Sequence, residues 1–253
     1  MRRQHADPLA RRLLAELLGS ALLATVVVGS GIAAQTLSPH DTGLELLENA
    51  TATAAGLFSI ILMFGAVSGG HFNPVVSFVD ASFGGMRLRE AAAYAPAQLL
   101  GCVLGAIAAN GMFSRAAVSI STHHRATMGH LLAEVIATAG LILLIFALRS
   151  TRRGSQAPAA VGAYIGAAYF FTSSTSFANP AIAVGRMFSD TFAGIAPASV
   201  PGFIAAQALG GLLATLAIRA LYPQGVAPAA AVALTRAAAG DRAQAEMTTA
   251  GRR

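Results

Sequence analysis

The sequence predicts an all-α polytopic membrane protein, with six transmembrane helices and two re-entrant half-helices in an inverted three-plus-three repeat. Three observations predict it. Only 11% of the 253 residues are charged while 55% are hydrophobic, and a soluble domain carries about 25% charged residues. The chain therefore lacks the charge to coat a water-facing surface, and the same composition excludes disorder, coiled coil and collagen. The apolar residues fall into six charge-poor runs, and two of these are too long for one crossing and contain Asn-Pro.

The runs cover 17–40, 49–79, 91–114, 126–148 (interrupted only by Glu134), 154–185 and 191–218. A bilayer core needs about 20 apolar residues as a helix, so six crossings fit. The first run continues from Leu13 through Val28 and beyond, too long for a cleavable signal. The second and fifth reach roughly 30 residues, half as long again as one crossing needs. Each holds an Asn-Pro pair, Asn73-Pro74 and Asn179-Pro180. Asn is a favoured N-cap and Pro is favoured at the first helical position. Each long run therefore reads as a full span, a loop and a new short helix. The residues ahead of Asn-Pro, Ser68-Gly69-Gly70-His71-Phe72 and Thr172-Ser173-Ser174-Thr175-Ser176, suit an irregular backbone that satisfies its own polar groups. Such backbone is tolerated within a membrane only when buried in protein or lining a wet cavity.

The halves match elsewhere. Ala15-Glu16-Leu17-Leu18 opens the first span as Ala133-Glu134-Val135-Ile136 opens the fourth, and Ala97-Gln98-Leu99-Leu100-Gly101 parallels Ala206-Gln207-Ala208-Leu209-Gly210. Three spans per repeat is an odd number, so the second copy is inverted. Inverted repeats with broken helices meeting near the midplane are a transport architecture. The expected organisation is one channel domain over 1–222, with repeat one at about 10–113 and repeat two at about 128–222, followed by a flexible cytoplasmic tail over 223–253.

All 17 basic residues are Arg and the net charge is +6. A nucleic-acid partner would need clustered Arg with aromatics on a soluble face, and the chain has no Trp and four Tyr. Arg placement instead reads as topology. Arg2, Arg3, Arg11 and Arg12 precede the first span, Arg87 and Arg89 fill the second loop, Arg149, Arg152 and Arg153 the fourth, and Arg236 and Arg242 the tail. Asp41, Glu45 and Glu48 mark the first loop, while Arg115 and Arg125 in the third count against the trend. The positive-inside rule puts both termini in the cytoplasm of a multi-pass protein of the cell (inner) membrane. The single Cys102 excludes a disulfide framework and a cysteine-rich metal site. His123 and His124 are too few ligands for a metal.

Two half-helices meeting by their N-termini point two positive dipole ends at the centre of a path. The Asn73 and Asn179 amides would donate to a passing oxygen, and cations would meet an unfavourable field. Glu16 and Glu134, the carboxylates within the spans, are functional candidates by default. The favoured reading is structural, each accepting N–H groups from the loop ahead of its half-helix; the alternative is proton carriage.

Ser68-Gly69-Gly70-His71-Phe72-Asn73-Pro74-Val75-Val76-Ser77 and Phe177-Ala178-Asn179-Pro180-Ala181 resemble the two signature loops of the aquaporin (major intrinsic protein) family, and the resemblance covers roughly 10–222. It implies six tilted helices plus two half-helices, a pore through each monomer, a homotetramer in the lipid bilayer, and passive passage of small neutral solutes. The pore signature then comprises Asn73, Pro74, Val75, Asn179, Pro180 and Ala181. Val75 replaces the family's usual Ala, and its two extra methyls are expected to shift the narrowing where the half-helices touch. The family typically has an Arg directly after the second Asn-Pro-Ala, where this chain has Ile182. Transferring the other constriction positions by spacing gives Thr53, Ala167 and Ser176, a filter without charge or aromatic ring. The run Thr172–Ala181 and the missing Arg resemble bacterial members associated with arsenic resistance. The resemblance implies a wide filter passing water, glycerol and neutral metalloid hydroxides such as those of arsenic and antimony.

Arg186 lies four residues after Ile182, one turn along the same face, and either lines the pore mouth or caps the half-helix end. Asp80 holds the corresponding place in repeat one. His71 either lines or gates the path as pH falls, or packs the loop. Such a channel needs no cofactor. The alternatives are a water-selective aquaporin and, less favoured, a proton-coupled secondary transporter, for which only Glu16 and Glu134 offer titratable groups. An intramembrane enzyme lacks any nucleophile–base set within the spans.

Overall fold

Eight α-helices fill residues 7–223, the part of the chain this computed structural model describes. The tail expected beyond Pro223 lies outside the described residues. In chain order the helices are α1 (Leu9–Leu37), α2 (Thr42–Ser68), α3 (Pro74–Ser82), α4 (Leu88–Met112), α5 (Met128–Ser150), α6 (Ala157–Phe171), α7 (Pro180–Gly185) and α8 (Val200–Leu221). Among the described residues, five helices are long and apolar enough to cross a membrane: α1, α2, α4, α5 and α8. The sixth, α6, has 15 residues, a rise of about 22 Å. Its chain continues through the Ser/Thr loop expected to break it.

Local chemistry sets the helix starts. The Asp41 side chain accepts the N–H of Leu44 at the start of α2, so Glu45 and Glu48, expected in the first loop, lie inside that helix. Thr127 caps α5 through the N–H of His130. Asn73 and Asn179 are the extended N-caps of α3 and α7, each with Pro at the first helical position. Asn73 accepts from Val75, and Asn179 from Ala181 and Ile182. The two long apolar runs therefore divide at Asn-Pro.

The surface is inverted relative to a soluble protein. Leu18, Leu22, Leu100, Leu132 and Leu212 are exposed, whereas Glu16, Gln98, Glu134 and Gln207 are fully buried. Within each repeat, glycine lets the Glu-bearing and Gln-bearing helices touch backbone to backbone. A Cβ on Gly101 of α4 would lie 2.4 Å from the Leu17 carbonyl oxygen, and one on Gly210 of α8 would lie 2.5 Å from that of Val135. Between repeats, α3 packs on α8 and α7 on α4. Arg12 pairs with Glu90, Arg149 with Asp80, and Arg219 donates to the Ser82 carbonyl, all on the face where the described termini meet. Arg125 donates to the carbonyls of Phe192 and Gly194 on the opposite face.

Candidate functional site

The centre of the molecule is built twice from the same parts. Glu16 takes four hydrogen bonds: Ser68 Oγ and the His71 N–H on Oε1, the Phe72 N–H and Gln98 Nε2 on Oε2, at 2.6–3.0 Å. Glu134 repeats them with Ser174 Oγ, the Phe177 and Ala178 N–H groups and Gln207 Nε2, at 2.6–2.9 Å. Four donors fill a carboxylate's acceptor capacity. This offsets the cost of burying the charge, and it fixes the loop ahead of each half-helix.

The two loops then lock to each other. Asn73 Nδ2 donates to the Ala178 carbonyl and Asn179 Nδ2 to that of Phe72, both at 2.7 Å. Each carboxamide has two N–H groups, so one anchors the opposite loop and one remains for the path. The N-terminal ends of α3 and α7 thus face a common centre, and their dipoles disfavour a cation there.

A cavity of about 580 Å³ runs past this centre. On the terminal side its wall includes His71, Asp80 and Arg149; on the opposite side it includes Thr53, Tyr169 and Arg186. Ser176 and Ile182 also lie on the wall. Thr53 Oγ1 and the Tyr169 hydroxyl are 3.1 Å apart, linking α2 to α6 within the wall. Ser176 Oγ is buried without a partner among the described residues.

Ala167 is a correction. It is exposed on the outer surface of α6 and absent from the wall, where Val161, Ile165 and Tyr169 stand four residues apart. At about 100° per residue, position 167 points roughly opposite to 169. Counting back from Asn179 crosses the irregular segment 172–178, through which residue number does not carry helical phase. The wall therefore holds an aromatic ring, Tyr169, where the sequence reading expected none. The Thr53–Tyr169 pair is a tertiary contact without a local signal.

Val75 is the second correction. Its side chain packs with Val79, Ile142, Phe146 and Ile218 rather than on the cavity. A Cβ on Gly211 would lie 2.5 Å from Val75 Cγ1, so the larger residue on α3 sits over a glycine on α8. The expected shift of the narrowing does not follow.

Arg186 is 2% exposed. Its Nε donates to the Ala193 carbonyl, and its guanidinium lies 3.5 Å from the centroid of the Phe177 ring. It is therefore on the wall, one turn beyond Ile182, and the wall does carry a positive charge on this side. Arg125 approaches the same ring at 5.6 Å, and burial in the loop pushes its pKa down. Nearby, the Thr122 backbone N–H holds the Asp190 carboxyl below its ordinary value. Cys102 is buried beside the Ser20 carbonyl, off the wall.

Asp80 and Arg149 were missed as wall residues. Arg149 closes α5 and donates to Asp80 Oδ1; His71 Nε2 stands 3.8 Å from Asp80 Oδ2, with its Nδ1 3.1 Å from Ser77 Oγ. The available signal was position: Asp80 follows Asn73 by seven residues, as Arg186 follows Asn179.

A cavity running past two half-helix N-termini, inside a bundle with a leucine-covered exterior, defines a membrane channel. The family profile described as "Major intrinsic protein" matches residues 4–178. The chain is 44% identical over 212 residues to "Aquaglyceroporin AqpS" of Rhizobium meliloti (strain 1021), covering 83% of this chain and 90% of that one. It is 32% identical over 186 residues to "Aquaporin TIP1-1" of Arabidopsis thaliana, covering 68% and 72%. Among solved structures, the aquaglyceroporin from Plasmodium falciparum shares the fold, with a TM-score of 0.66 at 21% identity over 83% of this chain and 96% of that one. The chain belongs to the major intrinsic protein family. It is a multi-pass membrane channel for small neutral solutes.

Proposed function

We propose that the channel passes water, glycerol and the neutral trihydroxides of arsenic and antimony through a filter formed by Thr53, Tyr169, Ser176 and Ile182. The carrying observation is Ile182: the residue after Ala181 lies on the wall and has no guanidinium. Arg186 lies one turn outward, held on Phe177 and the Ala193 carbonyl, which leaves room beside Ile182. The hydroxyls of Thr53, Ser176 and Tyr169 give a hydroxylated solute donors and acceptors in exchange for its water shell. Arg186 and the two helix dipoles repel cations, protons included. The similarity to a protein named an aquaglyceroporin supports glycerol. The arginines of the terminal face support cytoplasmic termini in a bacterial inner membrane, and the family supports a homotetramer.

Tyr169 and Arg186 on the wall favour one second reading, a water-selective pore. Proton-coupled transport loses support, because Glu16 and Glu134 each already accept four hydrogen bonds. Stopped-flow flux in proteoliposomes decides between the first two. Glycerol and arsenite flux is expected in the wild type. Ile182→Arg should lower both roughly tenfold, about 1.4 kcal/mol of barrier, while water flux falls less. Water flux without either solute in the wild type selects the water-selective pore.

A further inference from the structure

The terminal mouth carries more chemistry than a passive exit needs. His71 from the loop ahead of α3, Asp80 from α3 and Arg149 from the last turn of α5 converge on one stretch of cavity wall. Asp80 is 2% exposed and Arg149 8%. Their contact uses one carboxylate oxygen and one amino group: Arg149 Nη1 donates to Asp80 Oδ1. Among the described residues, Asp80 Oδ2 and Arg149 Nη2 have no hydrogen-bond partner, and neither is enclosed by protein. His71 Nε2 faces Oδ2 at 3.8 Å, too far for a direct hydrogen bond. A polar gap of that width is one that a bridging hydroxyl fills.

We infer that His71, Asp80 and Arg149 form a second solute-recognition station at the terminal mouth, selective for neutral solutes with hydroxyl groups on adjacent carbons. This rests on the polyol reading above and goes beyond its filter. A free acceptor, Oδ2, stands beside a free donor, Nη2, and His71 Nε2 faces the same gap. An alcohol hydroxyl donates and accepts at once: one hydroxyl donates to Oδ2 while its neighbour accepts from Nη2. Two separate waters would each have to be ordered to do the same, whereas an adjacent pair arrives already joined. The ion pair keeps the station close to neutral, so it holds a neutral solute without attracting a bare ion. The remaining groups facing His71 are fully engaged or apolar on that side: Tyr94, 5.7 Å away ring to ring, donates to the Ser68 carbonyl, and Glu16 accepts the His71 backbone N–H. Gly85 belongs to the design. A Cβ there would lie 1.9 Å from Asp80 Oδ1, so the turn after α3 leaves the carboxylate its place.

The test is the ratio of 1,2-propanediol to 1,3-propanediol flux in proteoliposomes. The isomers have the same atoms and differ in hydroxyl spacing, and a ratio does not depend on how much protein inserts. Wild type is expected to favour the 1,2-isomer about fivefold, the scale of one net hydrogen bond. The double variant Asp80→Asn with Arg149→Gln removes both charges and the guanidinium fork, and its ratio should fall to about one. Asp80→Asn alone would strand a buried guanidinium, so the pair is changed together. If the double variant does not insert, Arg149→Lys keeps a charge beside Asp80 but has no second amino group, and it must also lower the ratio. A wild-type ratio near one, or an unchanged ratio in the variant that inserts, overturns the station and leaves the polyol reading standing. A wild type that conducts water and neither diol overturns both.

Discussion

The loops ahead of α3 and α7 carry the same hydrogen bonds on different residues. Three and four places before its Asn, repeat one has Gly70 and Gly69, at φ 64° and 97°; repeat two has Ser176 and Thr175, at 51° and 61°. The next matched pair, Phe72 and Ala178, sits at 48° and 47°. Left-handed backbone is open to glycine and costs an L-residue about 1–2 kcal/mol. Repeat two holds it without glycine while Glu134 and Ser174 fix the N–H groups of Ser176, Phe177 and Ala178 and the opposing Asn73 fixes the Ala178 carbonyl. The scaffold is thus over-determined by its polar network, and sequence drift is tolerated inside it. The packing shows the same division. Repeat one seats Val75 of α3 over Gly211 of α8, whereas repeat two seats Gly185 of α7 against Cys102 of α4. The mouths differ most: Asp80 is paired with Arg149, while Arg186 has no carboxylate within 4.0 Å among the described residues.

The largest expected effect breaks the feature the halves share. Glu16→Gln and Glu134→Gln each turn an acceptor of four hydrogen bonds into a group that is half donor. Each should cost about 3–5 kcal/mol, the range for breaking a buried charged network. Thermal unfolding in detergent checks the pair, and a wide gap between the two losses would end the claim of equivalence. The packing contrast comes next. Gly211→Ala and Gly185→Ala should each cost about 1–3 kcal/mol by overpacking. Val75→Ala should restore the first, because the clash is with a side chain. No change at Cys102 should restore the second, because a Cβ on Gly185 would lie 2.7 Å from the Cys102 carbonyl oxygen. The smallest effect sharpens the loop comparison. Thr175→Gly should stabilise by up to about 1 kcal/mol, left-handed relief less the entropy of glycine. Gly70→Ser should destabilise by a similar amount, and equal signs in the same unfolding assay would show that the loops are not alike.

The break points were legible because they are local. Asn-Pro caps and starts a helix whatever surrounds it, and the repeated Glu, Gln and Asn-Pro order exposed the internal symmetry. The faces of Ala167 and Val75 were not legible. Both depend on helical phase beyond an irregular segment, or on what the facing helix offers. Asp80 and Arg149 are far apart in sequence, so their pairing has no local trace. Glu16 and Glu134 fall between these cases: the cost of burying a bare carboxylate in lipid demanded partners, and the structure supplied their identity.

By itself, the sequence determined the membrane class, the broken helices and the inverted repeat, since these follow from charge scarcity, run length and local capping. The tertiary structure alone decided the wall. Which side chains face the cavity is set by how α6 and α5 rotate against the half-helices. That rotation is fixed by contacts such as Thr53 with Tyr169 and Asp80 with Arg149, which join residues that no periodicity relates.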